Sequence, residues 1–369
     1  MSRRLTADPT LLILTVALTC FGVLMVYSAS SIMALRDYGD GFYFLKRQGS
    51  YALIGLSLMV AAMHIDYHLW RRLAFVLLIV STLLLAAVFL PGIGLSAGGA
   101  ARWIRLPGFS FQPSEAAKVA LIFYLAHSAT RKEDRLKDFR YGFVPYMLVL
   151  AVWLLLLLAQ RDLGGAVIMT LVTGTMLLVA GTRWRYLFLS VATAGPLFVY
   201  MILSEEYRRK RILAFLDPWD DPLNTGFQII QSWMGFGLGG WFGAGLGEGQ
   251  QKLFYLPEAH TDFIFSVIGE ELGFIVALLL IGMFLTLVLR GLQIARRAQD
   301  GFGRLCAFGI SLLLGLQAFA NMAVVMGLVP NKGLVLPLIS YGGSSLLCTL
   351  FSLGVLLNIS AQPAAGGQP

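Results

Sequence analysis

Apolar residues in this chain gather into long unbroken stretches instead of alternating with polar ones. Ten stretches reach or approach the ~20 residues a helix needs to cross a bilayer. They lie at roughly 10–30, 49–65, 72–91, 114–130, 142–159, 163–181, 185–203, 264–290, 305–328 and 338–360. The pattern predicts an all-α polytopic membrane protein, a single integral membrane domain over residues 1–369 with ten transmembrane helices. Most connections are short, but one long loop, 204–263, separates the seventh and eighth helices. A loop of that length is usually functional or disordered. This one carries Trp219, Trp233, Trp241, Phe227, Phe236, Phe242 and Phe254, so it can pack, in part into the membrane interface.

Charge adds an orientation. Arg3 and Arg4, Arg71 and Arg72, the cluster from Arg131 to Arg140, Arg183 and Arg185, and Arg290 to Arg304 fall in alternate connections. Positive residues favour the cytoplasmic side, which puts both termini there and the loops 31–48, 92–113, 160–162, 204–263 and 329–337 outside. The net charge of +8 is therefore a membrane signature and implies no nucleic acid. MSRR followed by an apolar run resembles a signal peptide, but with so many spans after it the run is expected to stay as the first helix. Composition agrees: 57% of residues are hydrophobic and 13% charged, where a soluble domain carries about 25% charged. Cys20, Cys306 and Cys348 lie inside apolar runs and suggest neither a disulfide nor a metal site.

Against this background the polar clusters stand out. Leu256–Phe274 opens as a polar turn with Glu258, His260, Thr261 and Asp262, then continues as an apolar run that still holds Glu270 and Glu271. Thr261 or Asp262 could cap the eighth helix; alternatively Asp262 is a general base at the membrane surface. Glu270 and Glu271 are too deep to be free carboxylates, so at least one is expected to face the bundle interior with a partner. Arg208–Arg211 form a basic run on the outer face, suited to an anionic lipid headgroup or to solvent alone. Gly235–Gly249 is glycine-rich but lacks the ending of a nucleotide-binding loop; it is a flexible or re-entrant loop, or a place of close ligand approach.

Pro113 and Ser114 mark a helix start, with Glu115 and Lys118 on one face, either as a simple ion pair or facing a cavity. Arg102 and Arg105 flank Trp103 on the same side, where Trp103 suits an interface anchor and Arg102 a phosphate. His64, Asp66 and His68 make a poor zinc set, and His127 is a packing residue. Pro337 and Gly342–Gly343 interrupt the last run, as a packing kink or a cavity lining.

The blocks GAARWIR, FSFQPSEAAK, FLDPWDDP, GFQIIQS, GLGEGQQKLFYLPEAHTDFIFSVIGEELGF and GLVLPLISYGGSS resemble the FtsW/RodA family, across essentially the whole chain and closer to its division branch. The resemblance implies ten spans in the bacterial cytoplasmic membrane and a peptidoglycan glycosyltransferase that polymerises lipid II, in cell division or cell-shape maintenance. It implies that Asp262 is the essential acid. Arg208, Arg211, Lys118, Glu115, Arg102, Lys252, Glu258, His260 and Thr261 are then the substrate-binding candidates. Lys118 is expected to position Asp262, with Glu115 holding Lys118. Two positions depart from the family pattern: Arg161 where proline is common, and Asn331 where threonine is common. The implied partners are a class B penicillin-binding protein, division-site regulators and membrane lipids. A divalent cation, Mg or Mn, could share the pyrophosphate charge, although the sequence shows no ligand set for it. The alternatives are a lipid II flippase, which would need inverted repeats and polar groups at mid-membrane, and a scaffold without chemistry.

Overall fold

The computed structural model describes residues 7–97, 100–106, 109–203, 209, 213–224, 226–252, 256–330 and 333–362. Among them the helices run in the order α1 Pro9–Tyr38, α2 Tyr43–His64, α3 His68–Ala87, α4 Pro113–Arg131, α5 Val144–Ala159, α6 Leu163–Ala180 and α7 Trp184–Leu203. Then come α8 Phe227–Gly239, α9 Ile264–Arg297, α10 Gly301–Val325 and α11 Gly343–Ala361. All but α8 occupy the ten predicted stretches. Seven of these regions, α1, α3, α5 with the turn before it, α6, α9, α10 and α11, are long and apolar enough to cross a membrane. The chain is a multi-pass α-helical membrane protein.

Local chemistry explains the ends. Asp8 accepts a hydrogen bond from the Leu11 N–H with Pro9 in the first turn of α1, and Gly39, in the left-handed region, closes that helix. The helix outruns its predicted end at 30, and α2 starts before 49, because Tyr38, Tyr43 and Phe44 pack together where they meet. Buried hydroxyls find partners within their own helices, as Thr15 does with the Leu11 carbonyl and Thr173 with that of Met169.

The bundle centre is α4, α10 and α11, of which α4 is buried along most of its length. The most extensive packing is of α2 against α11. Gly354 permits it, since a Cβ there would stand 2.4 Å from the Met59 carbonyl oxygen. At the edge, α3 buries Ala74, Ser81 and Leu85 and turns Val76, Ile79 and Leu83 outward, as a lipid-facing helix should.

Two features depart from the expected plan. The connection between α3 and α4 carries a three-stranded antiparallel sheet, β1 Gly94–Ala97, β2 Ala100–Leu106 and β3 Phe109–Phe111. Its strands are too short and glycine-interrupted to announce themselves by alternation. The eighth apolar run is also not one continuous helix: α9 breaks at Gly273, with φ 79 and ψ 179. A break at membrane depth must have its backbone groups satisfied, and the segment after α8 does this. The N–H groups of Ala244 and Gly245 donate to the Glu270 and Glu271 carbonyls at 2.9 and 3.0 Å. Those of Phe274 and Ile275 donate to the Gly240 and Trp241 carbonyls at 2.9 and 3.3 Å. Gly243 makes the approach possible: its φ is +83, and a Cβ would sit 2.2 Å from the Glu271 carbonyl oxygen. The glycine-rich run is thus a backbone plug for a broken helix.

Glu270 and Glu271 belong to the same device, and both are 1% exposed. Glu270 accepts from the Gln250 and Gln251 N–H groups at 2.7 and 3.2 Å. Glu271 accepts from Ser28 Oγ at 2.5 Å, from the Gly247 N–H at 3.1 Å and from Lys252 Nζ at 2.7 Å. The two acids clamp the plug to α9 and tie both to α1.

Candidate active site

The turn before α9 is held from outside itself. Asn321 on α10 donates through Nδ2 to the Asp262 carbonyl at 2.8 Å and to the Leu334 carbonyl at 2.5 Å. Ser340 Oγ donates to the Thr261 carbonyl at 2.6 Å, and the Tyr341 N–H to the His260 carbonyl at 2.9 Å. Three backbone carbonyls in a row are therefore bolted to α10 and to the segment before α11, which fixes where the Asp262 side chain starts. That carboxylate does not cap α9. The cap residue is Phe263, and it makes no side-chain cap hydrogen bond.

The half-buried Asp262 instead shares a space with Arg102. A Cβ built on Gly333 would lie 3.3 Å from Asp262 Oδ2 and 4.0 Å from Arg102 Nη1. Arg102 reaches this point because of a bulge in the sheet. Leu95 pairs with Trp103 and Ser96 with Ala101, so Arg102 is the unpaired residue of β2, and bulges re-aim side chains in this way. Its Nε donates to the Gln160 carbonyl at 3.3 Å, and its Nη2 to the Arg161 carbonyl. Two strained backbone positions adjoin this region, Arg161 through its carbonyl and Glu258 in the turn before Asp262. Arg161, Glu258 and Leu338 are the non-glycine residues with positive φ among the described residues, at 59°, 58° and 66°. Each such residue costs on the order of 1–3 kcal/mol, and they tend to cluster at functional sites.

Other candidates lie elsewhere. Lys118 is 4% exposed and pairs with Glu115 at 2.7 Å, as expected of that pair. Its hydrogen bond goes to Glu115 and not to Asp262; the cation beside Asp262 among the described residues is Arg102. One helical turn separates Glu115 from Lys118, and a turn of α4 satisfies them together inside the bundle, beside a cavity also lined by Gln317, Cys348 and Ser352. Lys252, expected to meet substrate, is 6% exposed and turned inward onto Glu271 and the Gly247 carbonyl. A buried carboxylate left without a cation is strongly destabilising, which accounts for the inward turn of Lys252. Thr261 Oγ1 donates to Glu258 Oε2 at 2.8 Å, on the exposed side of the turn. Arg208, Arg211, Asn331 and Lys332 lie outside the described residues. On the opposite face, His68 meets Asp66 at 2.7 Å while His64 bonds the Val60 carbonyl. Among the described residues no cluster of three His, Cys, Asp or Glu could hold a metal ion.

His260, also expected at the substrate, is 9% exposed and packed between Phe44 and Tyr341, with ring centroids at 4.7 and 5.7 Å. Burial pushes its imidazole below the usual range, against the smaller pull of Glu258. The unfolded imidazole takes its proton near ~6.5, and the folded one only at lower pH. Its contribution to stability is therefore complete above about pH 6.5 and is lost as pH falls through the folded value. We expect the melting temperature of the wild type to fall more steeply between about pH 7 and 5 than that of His260→Phe. Equal slopes in a detergent thermal-shift series would show that His260 carries no such linkage.

What sequence reasoning missed was that Arg102 borders the same space as Asp262, and the buried roles of Lys252 and His260. The signal for the first was weak: a single arginine in an unrecognised strand.

The chain is similar to known proteins over nearly its whole length. A profile of the cell cycle proteins FtsW, RodA and SpoVE matches residues 9–364. A probable peptidoglycan glycosyltransferase FtsW of Geobacter sulfurreducens is 60% identical over 355 residues, covering 96% of this chain and 95% of that protein. Stage V sporulation protein E of Bacillus subtilis is 43% identical over 360 residues, covering 97% and 98%. Among solved structures, a chain of a peptidoglycan synthase complex that coordinates polymerization and crosslinking superposes with a TM-score of 0.80 at 33% identity, covering 96% of this chain and 98% of that one. The rod shape determining protein RodA of Thermus thermophilus gives 0.71 at 28% identity, covering 97% of each chain.

Proposed function

The chain belongs to the FtsW/RodA/SpoVE family of cell cycle proteins and is a peptidoglycan glycosyltransferase, and we propose that it polymerises lipid II with Asp262 as general base. The observation that carries this reading is the shared space of Asp262 Oδ2 and Arg102 Nη1 beside Gly333. A base and a cation bordering one space suit transfer from a lipid pyrophosphate. The Asp262 carboxylate takes the proton of the 4-hydroxyl on the acceptor sugar, and the oxygen forms a bond to the anomeric carbon of the donor. The bond from that carbon to the pyrophosphate breaks, and undecaprenyl pyrophosphate leaves with the electron pair. Arg102 meets the negative charge that builds on the leaving group. The substrate carries its own activation, as a site facing away from the cytoplasm needs.

The same reading puts ten spans in the bacterial cytoplasmic membrane within a single domain, both termini in the cytoplasm and Asp262 at the outer face. The alternating basic connections support it. It also assigns a class B penicillin-binding protein, which would cross-link the new strands, and division-site regulators as partners. A divalent cation, Mg or Mn, would share the charge of the pyrophosphate.

The test is a vesicle assay with purified protein, labelled lipid II and the class B partner. Glycan polymer that appears with this protein present supports the reading. Labelled lipid II that crosses the bilayer without polymer would replace it with a flippase, and neither result would leave a scaffold.

A further inference from the structure

The connection from α5 to α6 ends in a Schellman motif with an unusual occupant. Gln160 is the C-cap of α5; the Arg161 N–H donates to the Leu158 carbonyl at 3.0 Å and the Asp162 N–H to the Leu157 carbonyl at 2.8 Å. That pair of bonds places Arg161 at the position after the cap, in the left-handed region with φ 59, where glycine is the usual residue. The turn is otherwise well made. Asp162 Oδ1 caps α6 through the Gly165 N–H at 2.9 Å, and the Gln160 side chain donates to the Leu85 carbonyl at 2.8 Å. Backbone needs alone would favour glycine, which adopts this conformation without steric cost. The Arg161 side chain is exposed, and among the described residues its guanidinium makes no hydrogen bond or ion pair. Its own carbonyl is held by the Arg102 guanidinium, which borders the same space as Asp262. An unengaged cation thus sits one hydrogen bond away from the arginine beside the base, on a backbone strained to carry it.

We propose that Arg161 is a substrate-binding residue, its guanidinium gripping the anionic oxygens of the lipid-linked pyrophosphate at the mouth of the Asp262–Arg102 space. The forked donor set of arginine suits phosphate oxygens. This rests on the reading of Asp262 and Arg102 as the transfer site.

The decisive variant is Arg161→Gly, because it keeps the left-handed turn and removes only the cation. Its melting temperature should equal or exceed that of wild type, so weakened binding could not be blamed on misfolding. Lipid II binding is titrated in nanodiscs of phosphatidylcholine, a readout that needs no turnover, and KM and kcat are measured in parallel. We expect about a 10-fold weaker Kd, within the range of a charge-assisted hydrogen bond, and a matching rise in KM with kcat nearly unchanged. Arg161→Lys should recover part of the loss. An unchanged Kd would overturn the proposal and leave Arg161 as a charge that complements the C-terminal dipole of α5. A change confined to nanodiscs containing anionic phospholipid would also overturn it, assigning the cation to bilayer headgroups. If wild type fails to polymerise but Arg161→Gly still weakens lipid II binding, the catalytic reading falls and the binding role of Arg161 stands.

Discussion

Asp262→Asn is expected to lower glycan polymerisation by ~10²–10⁴-fold, the usual worth of a general base, while the protein stays folded. The amide keeps the size of the carboxylate but cannot accept the proton of the acceptor hydroxyl. Stability should hold because the turn is anchored through its backbone. The cap of α9 is Phe263, and residues 260–262 are anchored through their backbone carbonyls by Tyr341, Ser340 and Asn321. A capping role would instead give roughly 1 kcal/mol of lost stability on removal of the side chain and little loss of rate. Polymer yield and thermal unfolding of the purified variant therefore separate the two roles. Polymerisation within threefold of wild type would remove Asp262 from the mechanism.

The second large effect concerns a site away from the chemistry. Lys252→Met should destabilise the fold by ~3–5 kcal/mol, because it strands the buried Glu271 carboxylate without its cation. Their side chains are 4% and 0% exposed at 2.7 Å separation, so solvent cannot take over the missing charge. The loss should be local first. Residues 240–252 plug the break of α9 at Gly273, and the Lys252 ammonium also binds the Gly247 carbonyl. Hydrogen exchange in 240–252 should rise in Lys252→Met before α10 or α11 is affected. Adding Glu271→Gln should recover part of the stability by removing the stranded charge, although the amide serves Ser28 and Gly247 less well. A melting temperature for Lys252→Met equal to that of wild type would show that the clamp carries no such load.

Much of this architecture was legible along the chain. Burial in lipid demands long apolar stretches and satisfied backbones, so each helix had to declare itself in its own residues. The resemblance singled out Asp262, and the acids at Glu270 and Glu271 could be recognised as needing partners, since a carboxylate at that depth has no solvent. The Glu115–Lys118 pair was visible too, because residues three apart on a helix are neighbours whatever the tertiary fold does.

By itself, the sequence determined the class of protein and the placement of its long helices, which depend on local composition and spacing, while its resemblance to a known family singled out Asp262. The tertiary structure decided which groups meet across the chain. It brought Arg102 to the space that Asp262 borders through a strand bulge, and turned Lys252 and His260 inward, away from the substrate role that the resemblance implied. It broke α9 at Gly273 and filled the break with a loop more than twenty residues earlier. Each of these rests on hydrogen bonds or charge pairs between distant segments, whose free energy depends on approach and burial, and neither exists until the helices have packed.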